Sequence, residues 1–306
     1  MWFLSDRSTM PISHLLLALL VVVIWGVNFL FVSFGLEEIS PLLLCSLRFL
    51  LASVPAIFFI KVPQGSFRVI VLYGFVMFAL QFSFLFMGMN IGMPAGMASL
   101  LMQTQVFFSM FFAVIFLGEQ PNMGQIIGAL VASLGIGLVA MHFDSEISLP
   151  GFILILAAAA TWGFGNLITK KIKGTNDNMM AIIVWGSFVA CLPMFLFSLI
   201  VEGPANWVYT YEHISWRGAL SLAYIVCAST WIGYGVWNWL IARYPVGVVA
   251  PFTLLVPIVA ILSSVLVLGE PFQLWKLAAG LLVIGGLCIN ILGARFFTVR
   301  VQSETA

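Results

Sequence analysis

Two pairs of side chains define the chemistry open to this chain. Trp25 and Asn28 stand three residues apart, Trp162 and Asn166 four apart, each pair inside a long apolar stretch. At those spacings both members share one face of a helix. An indole offers an apolar ring face, and a carboxamide offers a donor group and an acceptor. Together they suit an amphipathic solute held non-covalently. Asn as a bridge between helices, with Trp as packing, is the competing reading, and the two are compatible. Gln81, Gln103 and Gln105 add amides. Gln103 and Gln105 are two apart and point to roughly opposite faces, so only one of them faces a cavity. Tyr234, Trp237 and Asn238 share a helix face; Tyr234 lies deepest, whereas Trp237 also suits an interfacial anchor.

Charge inside these stretches is rare. Arg48 is the one basic residue well inside one, about seven residues or roughly 10 Å from its end. It either serves structure, by snorkelling or bonding helix carbonyls, or attracts a substrate carboxylate. In the second half Trp185 stands at its place. Glu119 and Glu270 close two apolar helices against the helix dipole, so a gate bond or a loop N–H must hold each one. Pro251 and Pro257 should bend or unwind their helix. No Asp or Glu falls at mid-span. That favours facilitated or exchange transport, or coupling through the helix-end carboxylates.

The elements that must position these residues are set by composition. The chain is 62% hydrophobic and 8% charged over 306 residues, and apolar runs of about 20 residues cross a bilayer core of about 30 Å. An all-α integral membrane protein follows, with ten spans at 14–34, 41–60, 69–89, 94–117, 123–141, 149–169, 180–201, 218–241, 246–268 and 272–293. The first run is too long for a signal peptide and stays in the membrane. Short tails cover 1–13 and 294–306. A net charge of +1 gives no basic surface for nucleic acid. Cys45, Cys191, Cys227 and Cys288 are scattered through the spans and read as small hydrophobes. The three histidines form no metal site, and no cofactor is implied. Without HExxH, GxSxG or a carboxylate dyad in a span, a membrane hydrolase is disfavoured.

The chain also repeats itself. PAGMASLLMQTQVFFSMFFAVIFLGE at 94–119 aligns without gaps on PVGVVAPFTLLVPIVAILSSVLVLGE at 245–270, and Trp25-Gly26 returns as Trp162-Gly163. Two five-helix units, 14–141 and 149–293, follow. With a cytoplasmic N-terminus, nine Lys and Arg fall inside and only Arg217 and Lys276 outside. Five is an odd number, so the second unit enters from the opposite side. Inverted repeats of this kind belong to secondary transporters working by alternating access. The Gly92-x-x-x-Gly96, Gly124-x-x-x-Gly128 and Gly285-Gly286 pairs serve internal packing rather than dimerisation, and the protein is expected to be a monomer.

The stretches VVVIWGVNFLFVSFGL, PLLLCSLRFLLASVPAIFF, GMPAGMASLLMQTQVFF, AAAATWGFGN with its following KKI, and IGYGVW with its later ARY resemble the EamA family of the drug/metabolite transporter superfamily over about residues 15–293. The resemblance implies ten helices in two inverted repeats in the bacterial inner membrane, with both termini cytoplasmic. It implies a central cavity from spans one, three, four, six, eight and nine. It implies export of small metabolites, amino acids or cysteine-pathway intermediates. The alternative is export of other amphipathic solutes, such as drugs or aromatic compounds. A single deep cation, Arg48, argues against phosphate-bearing cargo.

Overall fold

The computed structural model describes residues 10–63, 67–142, 147–172, 179–244 and 246–304. Pro245, residues 173–178 and the first nine residues lie outside them. Among the described residues ten apolar helices are long enough to cross or nearly cross a bilayer: α1 Ile12–Leu36, α2 Pro41–Ile57, α3 Phe67–Asn90, α4 Ala95–Leu117, α5 Met123–Ala140, α6 Leu149–Ile172, α7 Met180–Glu202, α8 Trp216–Ile241, α9 Ala250–Leu268 and α10 Leu274–Glu304. The chain is thus a multi-pass membrane protein. Helix α2 stops at Ile57, short of the 60 expected. Beyond it the N–H groups of Phe59 and Ile60 both turn back onto the Ala56 carbonyl. The expected loop between α7 and α8 holds a further helix, Pro204–His213, with Pro at its first turn. At 10 residues it is too short to cross the bilayer core.

Helix ends follow local chemistry. Asn122 and Gln125 form a reciprocal capping box at the start of α5. The repeated Leu-Gly-Glu is a left-handed glycine cap in both copies: Gly118 has φ 66° and Gly269 has φ 68°.

The two copies are opposed and interleaved. Helix α1 packs with α8 and α9, and α6 packs with α3 and α4. A two-fold that exchanges the repeats exchanges these two bundles. The closest contacts respect it. A Cβ on Gly26 would stand 2.5 Å from Val259 Cβ, and one on Gly163 would stand 2.7 Å from Phe108 Cβ. Phe108 and Val259 hold the same position in the aligned stretches. Helices α2 and α7 pair with each other, as do α5 and α10. In the latter pair a Cβ on Gly128 would meet the Gly286 carbonyl oxygen at 2.5 Å, so these glycines serve contacts within one chain.

We call the side of Glu38, Glu202 and Glu270 the acidic side, and that of Lys61, Glu119 and Arg243 the basic side. On the acidic side three carboxylates each hold a helix start of the other repeat. Glu38 accepts the Ser215 N–H at 2.8 Å and the Ser215 hydroxyl at 2.6 Å, at the head of α8. These bonds hold the Glu38 carboxyl below the usual carboxylate range. Glu202 accepts from Ser40 Oγ at 2.6 Å and from the N–H groups of Leu42 and Leu43 at 2.7 and 3.2 Å, at the head of α2. Glu270 accepts the Ala95 N–H at 3.0 Å, at the head of α4. Each satisfies donors that a helix start leaves without an intrahelical partner.

Candidate functional site

Helix α4 is broken. Ala95–Met102 and Gln105–Leu117 are separate α-helical pieces, because Gln103 and Thr104 bond three residues back, at Leu100 and Leu101. Residues 103 and 104 align with 254 and 255 of α9, where a tight 3₁₀ turn, Ala250–Leu255, occupies the same depth. Pro251 opens that turn and Pro257 starts the α-helical piece after it, so the two prolines unwind α9 as expected. Helices α3 and α8 carry matching wide turns, Gly74–Leu80 and Tyr224–Gly233. Gln81 and Tyr234 are the first α-helical residues after them. Interruptions of this kind cluster at functional positions in membrane carriers.

The bundle of α3, α4 and α6 presents amides. Asn166 Nδ2 donates to Gln105 Oε1 at 2.8 Å and to Ser109 Oγ at 2.9 Å. Of the two glutamines on α4, Gln105 is therefore the one engaged with the second repeat; Gln103 is buried at the break. Ser109 was not singled out from sequence, although its place four residues after Gln105 was a usable signal. Gln81 is buried in α3. Trp162 is half-buried and packs on the main core.

The bundle of α1, α8 and α9 presents rings. Trp25 stands 5.3 Å from Tyr234 and 5.2 Å from Trp237, ring centre to ring centre. Its Nε1 donates to the Ser229 carbonyl at 3.2 Å. Asn28 is buried with its Oδ1 unpartnered, and Asn238 keeps an unpartnered Nδ2. Trp25 and Asn28 thus part company: the indole joins an aromatic cluster while the amide faces the interior. Arg48 neither snorkels nor bonds a helix carbonyl. It is fully buried, with Nη2 3.3 Å from Thr230 Oγ1.

The two halves of the membrane differ. Every residue of the acidic-side piece of α4, Ala95–Met102, is buried, and that piece packs on α9. Of the basic-side piece, Gln105–Leu117, only Ala113 is buried. On that side a cleft of ≈ 220 Å³ is lined by Ser109, Met110, Glu119, Gln125, Asn166 and Asn290, among others. It is smaller than the ~300–1,000 Å³ typical of drug-sized ligand sites.

Glu270 caps the buried piece of α4 on the acidic side. Burial raises its carboxyl pKa, against the pull of the Ala95 N–H and of Lys276. If the acidic side opens, water reaches Glu270 and its pKa falls back. A raised carboxyl pKa favours the closed state where the proton is bound, and that advantage is lost as pH rises through the raised value. Acid on this side should therefore hold it shut. Glu270→Gln should flatten the pH dependence of flux between the ordinary carboxylate value and the raised one. An unaltered pH profile would separate Glu270 from gating.

Comparison with known proteins agrees with this architecture. The family model described as the EamA-like transporter family matches residues 12–141 and 149–292. A protein of Escherichia coli (strain K12) named "Probable amino-acid metabolite efflux pump" is 39% identical over 92% of this chain and 95% of its own length. Its namesake in Salmonella typhimurium is 40% identical, over 91% and 95%. The "Probable terminal-alkyne amino-acid exporter" of Streptantibioticus cattleyicolor is 28% identical over 65% of each chain. A solved crystal structure superposes with a TM-score of 0.63 over 94% of this chain and 99% of its own, at 17% identity, a likeness of fold. Two inverted five-helix repeats, each matched by the same family model, make this chain a member of the EamA-like transporter family.

Proposed function

We propose that the protein exports amino-acid metabolites, including cysteine-pathway intermediates, from the cytoplasm by alternating access. The carrying observation is the cleft on the basic side, lined by Ser109, Glu119, Gln125 and Asn166, facing an α4 whose acidic-side piece is sealed against α9. The excess of Lys and Arg supports a cytoplasmic basic side, with both termini there and the chain in the bacterial inner membrane. The conformation described is then the one that loads cargo. The names of the relatives support the cargo class. The repeats 14–141 and 149–293 act as one monomeric carrier, and transport needs no cofactor and no covalent step. The amides of α4 and α6 meet the polar end of the cargo, and the rings around Trp25 meet its apolar end. That aromatic cluster also favours a second reading, export of drug-like or aromatic solutes.

Counterflow in proteoliposomes separates the two. Purified protein with trapped unlabelled O-acetylserine or cysteine should accumulate the labelled solute. Accumulation only with aromatic solutes lacking an amino-acid backbone would select the second reading, and no flux with any solute would remove both.

A further inference from the structure

Arg48 is the most costly group in the membrane part of this fold. It lies on α2 at 2% exposure. Its Nε and Nη1 have no hydrogen-bond partner, and its one polar contact is the long one to Thr230 Oγ1 on α8. Its guanidinium lies over Phe82 of α3 at 4.3 Å from the ring centre, with Phe49 at 5.5 Å. Ring faces attract a cation, but they replace only part of the hydration lost on full burial. A carboxylate is the usual remedy, and the chain offers none there. All 11 Asp and Glu lie outside the spans or at a helix end. Glu202, at the head of α2, is already taken up by Ser40, Ser198 and two backbone N–H groups.

Its surroundings say who brings the missing anion. Thr230 belongs to the bundle of α1, α8 and α9, and Phe82 to the bundle of α3, α4 and α6. Arg48 therefore stands where the two bundles meet, near the middle of α2. If those bundles separate, the guanidinium is uncovered between them. We propose that Arg48 is the carboxylate counter-ion of the cargo, engaged as the protein turns to release it. This deepens the export reading: the cargo must carry a free carboxylate, and amines of the same shape are poor cargo. Nε and Nη1 supply the donors, and the charge-assisted bond replaces what burial removed.

Binding to the purified full-length protein tests this. L-phenylalanine is compared with 2-phenylethylamine, and L-cysteine with cysteamine; each pair differs by the carboxylate. The acid should bind roughly tenfold or more tightly than the amine, as expected for pairing a buried charge. Arg48→Gln should erase the preference, and Arg48→Lys should keep part of it. Equal binding of acid and amine by the unmodified protein overturns the assignment, and so does a preference that survives Arg48→Gln. If Arg48→Gln does not fold, the acid–amine comparison on the unmodified protein decides alone. If chloride stabilises the protein while the acids do no better than their amines, the guanidinium serves an inorganic ion and the assignment is overturned. Amino-acid binding without carboxylate preference sinks this proposal and leaves the export reading standing; binding of neither acid nor amine sinks both.

Discussion

Asn166→Leu should reduce cargo flux by about tenfold or more while the protein still inserts and purifies as a single species. The Asn166 amide spends its donor half on Gln105 and Ser109, and it lines the cleft on the basic side. Leucine keeps the branching and heavy-atom count of asparagine, so the shape is approximately kept and the polar link between α6 and α4 is lost. Leaving a partly buried acceptor such as Gln105 Oε1 without its donor costs about 1–3 kcal/mol, and 1.4 kcal/mol is a factor of ten. Gln105→Leu should cost about the same, and the double variant little more, because residues of one network do not add. Asn28→Ala gives the contrast: its buried Oδ1 has no partner to lose, so stability should hold and any loss of flux reports on cargo. Initial rates in proteoliposomes, normalised to inserted protein, decide the matter. Full flux from Asn166→Leu would reduce the amide wall to packing.

Much of this fold is legible in the residues. Apolar run lengths give the helices, and the odd number of helices per repeat gives the inversion. The shared Leu-Gly-Glu gives the helix ends, seen as left-handed caps at Gly118 and Gly269. Arg217 and Glu37 form an ion pair at 2.8 Å, which puts the α1–α2 and α7–α8 loops on one side, as alternation requires. What escapes the sequence is whatever depends on which helices touch. Gln105 and Gln103 are equivalent by type and depth, and only the contact with α6 separates them. The break at Gln103 and Thr104 carries no proline or glycine to announce it, unlike its partner at Pro251. The caps by Glu38 and Glu202 join residues more than 150 positions apart, a pairing no local pattern encodes.

The two-fold governs backbone more than chemistry. Breaks and wide turns recur in both repeats, yet Gln105 and Ser109 align with Val256 and Ala260. One bundle therefore keeps amides where the other keeps aliphatic side chains, and the rings of Trp25, Tyr234 and Trp237 fill the second wall. A symmetric hinge with unlike walls can rock between two equivalent shapes and still orient an amphipathic solute in one sense.

That shared backbone makes the second prediction. Gly163→Val should abolish flux and lower the melting temperature, because α4 and α6 touch through backbone. A Cβ at residue 163 would lie 2.8 Å from the Ser109 nitrogen as well as 2.7 Å from Phe108 Cβ. Neither atom can swing aside, so α4 must withdraw and take Ser109 away from Asn166. Overpacking of this kind costs about 1–3 kcal/mol. Gly26→Val should do the same to α1 and α9, where the nearest atoms are Val259 Cβ at 2.5 Å and Cγ1 at 2.6 Å. The repeats should differ in rescue. Val259→Gly removes the two nearest atoms and should restore part of the stability of Gly26→Ala. Phe108→Gly leaves the Ser109 nitrogen in place and should restore little to Gly163→Ala. Gly280→Ala, with nothing within 4 Å of the added carbon, serves as the neutral control; alanine is the better helix former by up to about 1 kcal/mol. Thermal unfolding in detergent reads the stability, and counterflow reads the transport. A Gly163→Val protein as stable and active as its parent would show that α4 and α6 do not approach this closely, and the amide wall built on that approach would go with it.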